Sequence, residues 1–204
     1  MADPTSVPAR STAAVLALMA LGALVLQTIY LRDRFALGWA ETLWLMALYF
    51  TTLTNLLAAA TFAALACGPH SRHPGWLQSL VVSLILVGGV YHLLLSDLWS
   101  PDGIGLIADH GLHSAVPAGA FLWWLFFAPW GPPALRRLWL PLLWPALYTG
   151  YALLRGLAEG RYPYPFLDPS LIGWPQVAQN LVYIAMVLLV LGALLHGLAR
   201  IARR

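Results

Sequence analysis

The sequence contains no lysine, since all 11 of its basic residues are arginines. Without lysine the chain cannot hold retinal or pyridoxal phosphate through a Schiff base, and it cannot form a P-loop. Its single cysteine, Cys67, excludes internal disulfides and four-cysteine metal sites. Charged residues make up only 9% of the 204 residues, whereas soluble globular proteins contain about 25%. The composition therefore indicates a membrane protein.

The chain is rich in long apolar stretches, and 60% of its residues are hydrophobic. A spanning helix needs about 20 predominantly apolar residues. Six stretches of this kind alternate with clusters of Arg, Asp, Pro and Gly, and they lie at 12–31, 39–66, 75–97, 107–129, 137–157 and 175–199. The first stretch exceeds the core of a cleavable signal peptide, so we expect it to remain as a helix. The sequence predicts an all-α integral membrane protein whose single domain, residues 1–204, is a bundle of six transmembrane helices.

The distribution of arginines predicts the orientation of this bundle. With six spans both termini share one side, which would carry seven arginines against four on the opposite side. The positive-inside rule therefore predicts cytoplasmic termini. The use of arginine alone is typical of GC-rich bacterial genomes and favours a bacterial inner membrane. The arginines on the terminal side are Arg10, Arg72, Arg136, Arg137, Arg200, Arg203 and Arg204.

Polar side chains inside apolar stretches indicate where function lies, because they are costly in hydrocarbon unless they pair or line a cavity. The second stretch contains TTLTN at 51–55. Thr51, Thr54 and Asn55 share one helical face because they are three and four residues apart, whereas Thr52 points about 100° away. A hydroxyl on this face is a candidate nucleophile. The alternative is that these residues only bind neighbouring helices together.

The fourth stretch contains ADHGLHSAVP at 108–117. Asp109 lies four residues before His113, a spacing that lets the carboxylate orient the imidazole as a general base. His110 and His113 also form an HxxH pair, and His92 of the third stretch is a possible third zinc ligand. The remaining alternative is a pair of interfacial histidines bonded to water.

Two further pairs of polar residues lie in the third and fifth stretches. Tyr91 and His92 precede the end of the third stretch, at the level expected for His113, which makes them candidates for a polar pocket. Tyr151 and Arg155 lie near the outer end of the fifth stretch, where an arginine either snorkels or binds an acidic headgroup. Since a threonine hydroxyl needs a neighbouring base to become nucleophilic, these stretches together contain the parts of a Thr/His hydrolase.

Three segments carry a resemblance to a known family. They are YFT at 49–51, HGLHS with VP at 110–117, and YPFL at 164–167. In order and spacing they are similar to segments of the androgen-induced protein family of multipass membrane hydrolases and its bacterial six-helix relatives. The resemblance implies a membrane-embedded threonine hydrolase that cleaves lipid esters, with fatty acid esters of hydroxy fatty acids as the substrate class of the animal members.

The resemblance also implies roles for individual residues. It assigns the base to His113 and the nucleophile to a threonine of the second stretch. Aligning YFT selects Thr51, whereas an ungapped match to Asn55 selects Thr52. We favour Thr51 because it shares a face with Asn55, whose amide is then a candidate oxyanion donor. Thr54 and Asn55 depart from the animal members.

The predicted function is therefore ester hydrolysis within the membrane, with Thr51 and His113 as the catalytic residues. The expected substrate-binding residues are Tyr91, His92, Asp109, His110, Asn55, Thr54, Tyr151 and Arg155. The expected partners are membrane lipids and a lipid or acyl-ester substrate, with no nucleic acid, cofactor or metal. Two alternatives remain open: a non-catalytic membrane protein that binds or transports a lipid or small amphiphile, and a structural membrane subunit.

Overall fold

The computed structural model describes residues 5–68, 74–128 and 139–201. The regular elements in these ranges are helical, and the ranges contain no strand, which confirms the all-α prediction. The α-helices are α1 (Val7–Phe35), α2 (Trp39–Met46), α3 (Phe50–Cys67), α4 (Pro74–Val90), α5 (Gly103–His110), α6 (Val116–Phe127), α7 (Leu140–Glu159) and α8 (Pro169–Ile201).

Four helical segments are long and apolar enough to cross a membrane, and they support a membrane location. They are Val7–Phe35, Phe50–Cys67, Gly75–Leu98 and Pro169–Ile201. The predicted spans 107–129 and 137–157 fall mainly in α5–α6 and α7, which are not among these four. The six-span bundle and its orientation therefore stay predictions. Five arginines that entered the orientation argument lie outside the described residues: Arg72, Arg136, Arg137, Arg203 and Arg204.

The predicted second stretch, 39–66, is divided in the structure into α2 and α3. At the end of α2 the N–H groups of Leu48 and Tyr49 donate to carbonyls three residues back, which tightens the last turn. Tyr49 is then extended (φ −94°, ψ 134°) and caps a new helix. Thr51 therefore lies in the first turn of α3. With 18 residues, α3 alone is about 27 Å long, close to the thickness of the hydrocarbon core.

The chain divides into two compact units, 1–131 and 132–204. Unit 1 contains α1–α6, and unit 2 contains α7 and α8. Within unit 2, α7 packs against α8, whose first turns contain a kink at Gly173 (φ 75°). Whether residues 1–204 form a single domain stays a prediction.

Small residues on one face of α1 form a large part of the packing of unit 1. Ala9, Ala13, Ala17 and Ala20 are all buried. Such side chains allow the backbones of neighbouring helices to approach closely in a membrane, where packing rather than the hydrophobic effect drives helix association. Both α3 and the α5–α6 segment pack against α1.

The contacts of α1 fix the direction of its neighbours. Near one end of α1, Arg10 Nε donates to the carbonyl oxygen of Ala66 at 2.9 Å, and near the other end Thr28 Oγ1 lies 3.0 Å from Met46 Sδ. The α2–α3 segment is therefore antiparallel to α1.

The α5–α6 segment is also antiparallel to α1. Trp123 Nε1 donates to the carbonyl oxygen of Ala9 at 2.9 Å, while Gly105 packs beneath the ring of Tyr30, which leaves no room for a Cβ atom. It follows that α3 and α5–α6 run parallel to each other within unit 1.

Candidate functional site

Two π-turns interrupt the helices that carry the predicted histidines. One comprises Tyr91–Leu95 and follows α4, and the other comprises Gly111–Ala115 and joins α5 to α6. Single π-turns within α-helices frequently occur at functional sites. The two helices approach closely here because Gly88 has no side chain: a Cβ atom at this position would lie 2.9 Å from the carbonyl oxygen of His113.

Asp109, His113 and Tyr91 form a compact network between these helices. His113 Nδ1 lies 3.1 Å from Asp109 Oδ1 and 3.0 Å from the carbonyl oxygen of Asp109. The Tyr91 hydroxyl donates to Asp109 Oδ2 at 2.5 Å, and its ring stacks on the imidazole of His113 with centroids 3.8 Å apart. The side chain of Asp109 is 5% exposed and that of His113 is 15% exposed. Both oxygens of the Asp109 carboxylate are thus hydrogen-bonded, and the carboxylate is buried within the protein.

This geometry determines which nitrogen of His113 can accept a proton. Both groups at Nδ1 are acceptors, so a neutral imidazole carries its hydrogen on Nδ1 and a lone pair on Nε2. A carboxylate at Nδ1 also stabilises the imidazolium that forms when Nε2 takes a proton. The contact of the Asp109 carboxylate with His113 Nδ1 is the one that their four-residue spacing predicted; the role of His113 as a general base stays a prediction.

His92 and Ser114 form a second pair beside this network. His92 Nε2 lies 2.9 Å from Ser114 Oγ, and the ring of His92 contacts that of Tyr91 edge-on, with centroids 5.1 Å apart. His92 is exposed and Ser114 is partly buried. Each residue of this pair directly follows a member of the first network, because Ser114 follows His113 and His92 follows Tyr91.

Asn55 connects α3 to the π-turn that contains His113. Its Nδ2 donates to the carbonyl oxygens of Thr51 at 2.9 Å and of Leu112 at 3.2 Å. Asn55 is fully buried, and its Oδ1 has no hydrogen-bond partner among the described residues. Since both amide hydrogens are engaged, Asn55 is not available as the expected oxyanion donor in this conformation.

The predicted nucleophile and the predicted base are linked only indirectly, through Asn55. Thr51 lies one turn from Asn55, which bonds the residue that precedes His113. No hydrogen bond links the Thr51 hydroxyl to His113 in ranges 5–68, 74–128 and 139–201. Thr54 is fully buried on the same helix.

The remaining predicted site residues are His110, Tyr151 and Arg155. His110 is exposed at the end of α5. In unit 2, Arg155 donates through Nη1 to the Tyr151 hydroxyl and through Nε to Glu159 Oε1, both at 2.9 Å. Within α7, Tyr151, Arg155 and Glu159 therefore form a polar cluster of their own.

The zinc alternative gains no support from the described part of the chain, which contains no group of three or more His, Cys, Asp or Glu side chains arranged to hold a metal. His113 instead bonds Asp109, and His92 bonds Ser114. These contacts occupy one nitrogen of each imidazole with protein partners.

No protein-family model, curated protein or solved structure matches the chain. The resemblance to the androgen-induced family therefore depends on the three short segments alone, and the assignment to that family stays a prediction.

Sequence reasoning did not identify Ser114 or the direct bond between Tyr91 and Asp109. Ser114 belongs to the HGLHS segment, so its position was visible, but an α-helical register does not show which side chains a π-turn places together. For Tyr91 the sequence predicted only a place in a polar pocket, and not the bond from its hydroxyl to Asp109.

Proposed function

We propose that the chain is a membrane-embedded ester hydrolase in which His113 is the general base. The observation that carries the proposal is the contact between Asp109 Oδ1 and His113 Nδ1 at 3.1 Å in a buried setting. A base that removes a hydroxyl proton near neutral pH needs a free lone pair and a fixed orientation, and this contact supplies both. Stacking against Tyr91 restrains the ring further.

In the proposed reaction the Thr51 hydroxyl is the nucleophile. Its oxygen attacks the ester carbonyl carbon while its proton passes to His113 Nε2, forming a tetrahedral intermediate. The carbon–oxygen bond to the alcohol then breaks, and the imidazolium returns the proton to the leaving alkoxide. Water, activated by the same imidazole, cleaves the acyl-threonine and releases the acid. The balance is one ester and one water giving one alcohol and one acid.

The position of Thr51 in α3 favours this role. The first N–H groups of a helix lack intrahelical acceptors and carry the positive end of its dipole. The backbone N–H groups of Thr51 and Thr52 therefore replace the Asn55 amide as oxyanion donors in the proposal. The nucleophile–base bond forms when substrate binds, since catalytic hydrogen bonds often tighten only in the substrate complex.

The membrane setting and the substrate class complete the proposal. Six spans with cytoplasmic termini in a bacterial inner membrane would place this site beneath the outer surface, with acyl chains lying along apolar helix walls. Fatty acid esters of hydroxy fatty acids are the substrate class that the three family-like segments favour.

The test uses the purified full-length protein in mild detergent, a fluorophosphonate probe and a chromogenic p-nitrophenyl acyl ester. We expect a phosphonate adduct on the peptide that contains Thr51, and ester turnover reduced about 100-fold or more in Thr51→Ala, since loss of the nucleophile removes the covalent route. Thr52→Ala is the matched control and should retain both. An unchanged turnover in Thr51→Ala would exclude Thr51 as the nucleophile.

A non-catalytic lipid-binding or transport protein is the second candidate. It is favoured by the engagement of both Asn55 amide hydrogens with backbone carbonyls, which makes Asn55 a structural link between helices. Mass spectrometry of the protein in mild detergent separates the candidates. Retained intact amphiphile with no adduct would support binding, whereas an acylated hydroxyl would support hydrolysis.

A further inference from the structure

The bond between His92 and Ser114 is a second contact between an imidazole and a hydroxyl. Their Nε2 and Oγ atoms are 2.9 Å apart, within the range of a nucleophile and its base. The proposed Thr51–His113 pair has no such bond among the described residues. Ser114 is therefore the hydroxyl that the structure already pairs with an imidazole nitrogen.

The two π-turns generate this pair together with the first network. Tyr91 and His92 are consecutive in one π-turn, and His113 and Ser114 are consecutive in the other. Tyr91 and His92 each contact one residue of the second turn. Tyr91 and His113 stack and share Asp109, while His92 and Ser114 bond each other. The Asp109 network thus supports the backbone from which the second pair projects.

The second pair is also the more accessible of the two. His92 is exposed, whereas Tyr91 and Asp109 are buried. His92 lies six residues before the end of the candidate span Gly75–Leu98, about 9 Å along the helix. In a helix that crosses the bilayer, an exposed imidazole at this position is costly, and such residues mark functional sites. Acyl chains of membrane lipids can approach it from the side.

We propose that Ser114, with His92 as its base, is a second acyl-accepting nucleophile that acts on carboxylic esters in the lipid phase. This proposal takes only its substrate class from the proposed hydrolase function. Ser114 Oγ bonds to the ester carbonyl carbon as its proton moves to His92 Nε2. The bond to the alcohol breaks with return of that proton, and one water releases the acid from the acyl-serine.

The pair should react more slowly than a complete triad. His92 Nδ1 has no carboxylate partner in the ranges that the structure describes, so nothing holds its tautomer as Asp109 holds that of His113. Removing this orienting group from a triad typically lowers turnover about 10⁴-fold. Ser114 is therefore expected to label covalently while contributing only residual turnover.

The experiment treats the full chain in detergent with a fluorophosphonate probe and locates the adducts by peptide mass spectrometry. We expect an adduct at Ser114 that forms about 100-fold more slowly in His92→Gln, since a general base contributes about that much or more. The adduct should persist in Thr51→Ala and be absent in Ser114→Ala. Size-exclusion profiles after heating would verify that each variant is folded.

The possible outcomes separate the two proposals. An adduct at Thr51 with none at Ser114 overturns this inference and leaves the proposed function intact. An adduct at Ser114 with none at Thr51 supports this inference and refutes Thr51 as the nucleophile. A folded protein with no adduct at either residue contradicts both. An adduct at Ser114 that His92→Gln does not slow overturns the assigned base.

Discussion

Asp109→Asn is the substitution that tests the site most directly, because one carboxylate connects both other members of the first network. Its oxygens bond the Tyr91 hydroxyl at 2.5 Å and His113 Nδ1 at 3.1 Å. Asparagine has nearly the same shape but no charge, and its amide nitrogen is a donor. It can therefore satisfy at most one of the two bonds with its remaining oxygen.

The expected magnitude follows from the loss of charge. A hydrogen bond to a charged group contributes about 1.5–3 kcal/mol and a neutral one about 0.5–1.5 kcal/mol, so losing one bond and neutralising the other lowers stability by about 3 kcal/mol. The effect on catalysis is larger. In the proposed mechanism His113 loses the charge that stabilises its protonated form, and only the Asp109 carbonyl oxygen still favours its Nδ1–H tautomer, so turnover is expected to fall by about 10²–10⁴-fold.

The assay measures p-nitrophenyl acyl ester hydrolysis and thermal unfolding of the purified protein in detergent. Asp97→Asn is the matched control, since Asp97 is exposed in the turn Ser96–Leu98 and its carboxylate makes no hydrogen bond or ion pair within the described ranges. If Asp109→Asn and Asp97→Asn changed turnover and stability equally, the reasoning from the Asp109 network would be refuted.

Two further substitutions test how the helices are held together around the site. Gly88→Ala places a Cβ atom 2.9 Å from the carbonyl oxygen of His113, whereas the Cβ atom of Gly89→Ala meets nothing within 4 Å. We therefore expect only Gly88→Ala to lower the unfolding temperature and to reduce turnover. Equal effects of the two substitutions would contradict the close approach of the helices at Gly88. Asn55→Ala removes both interhelical and intrahelical amide bonds and should cost about 1–2 kcal/mol in reversible unfolding, while an unchanged stability would show that Asn55 is not a link between α3 and the π-turn.

Much of the fold could be predicted from the sequence because apolar length and helical spacing are local properties. The all-α class follows from the apolar stretches. The contact between Asp109 and His113 follows from their four-residue spacing, which places two side chains on one helical face. Both features depend on residues close together in the chain.

The features that could not be predicted depend on contacts between distant residues. The break at 47–49 contains no proline or glycine that would have marked it. Whether the Asn55 amide faces a substrate or a backbone carbonyl depends on where Leu112 lies, and this is fixed by packing between α3 and the α5–α6 segment. The pairing of His92 with Ser114 likewise requires the closeness of two helices that Gly88 permits.

The two π-turns allow the cluster of Tyr91, Asp109 and His113 to be gained or lost by small changes in chain length. A π-turn accommodates one residue more than regular winding requires, and its flanking helical halves keep their alignment with neighbouring helices. A single-codon insertion is therefore sufficient to create one, and a single-codon deletion within 111–115 would restore an ordinary α-helix. The apolar scaffold of unit 1 and its cluster of Tyr91, Asp109 and His113 are thus genetically separable, and the scaffold can persist in descendants that have lost the cluster.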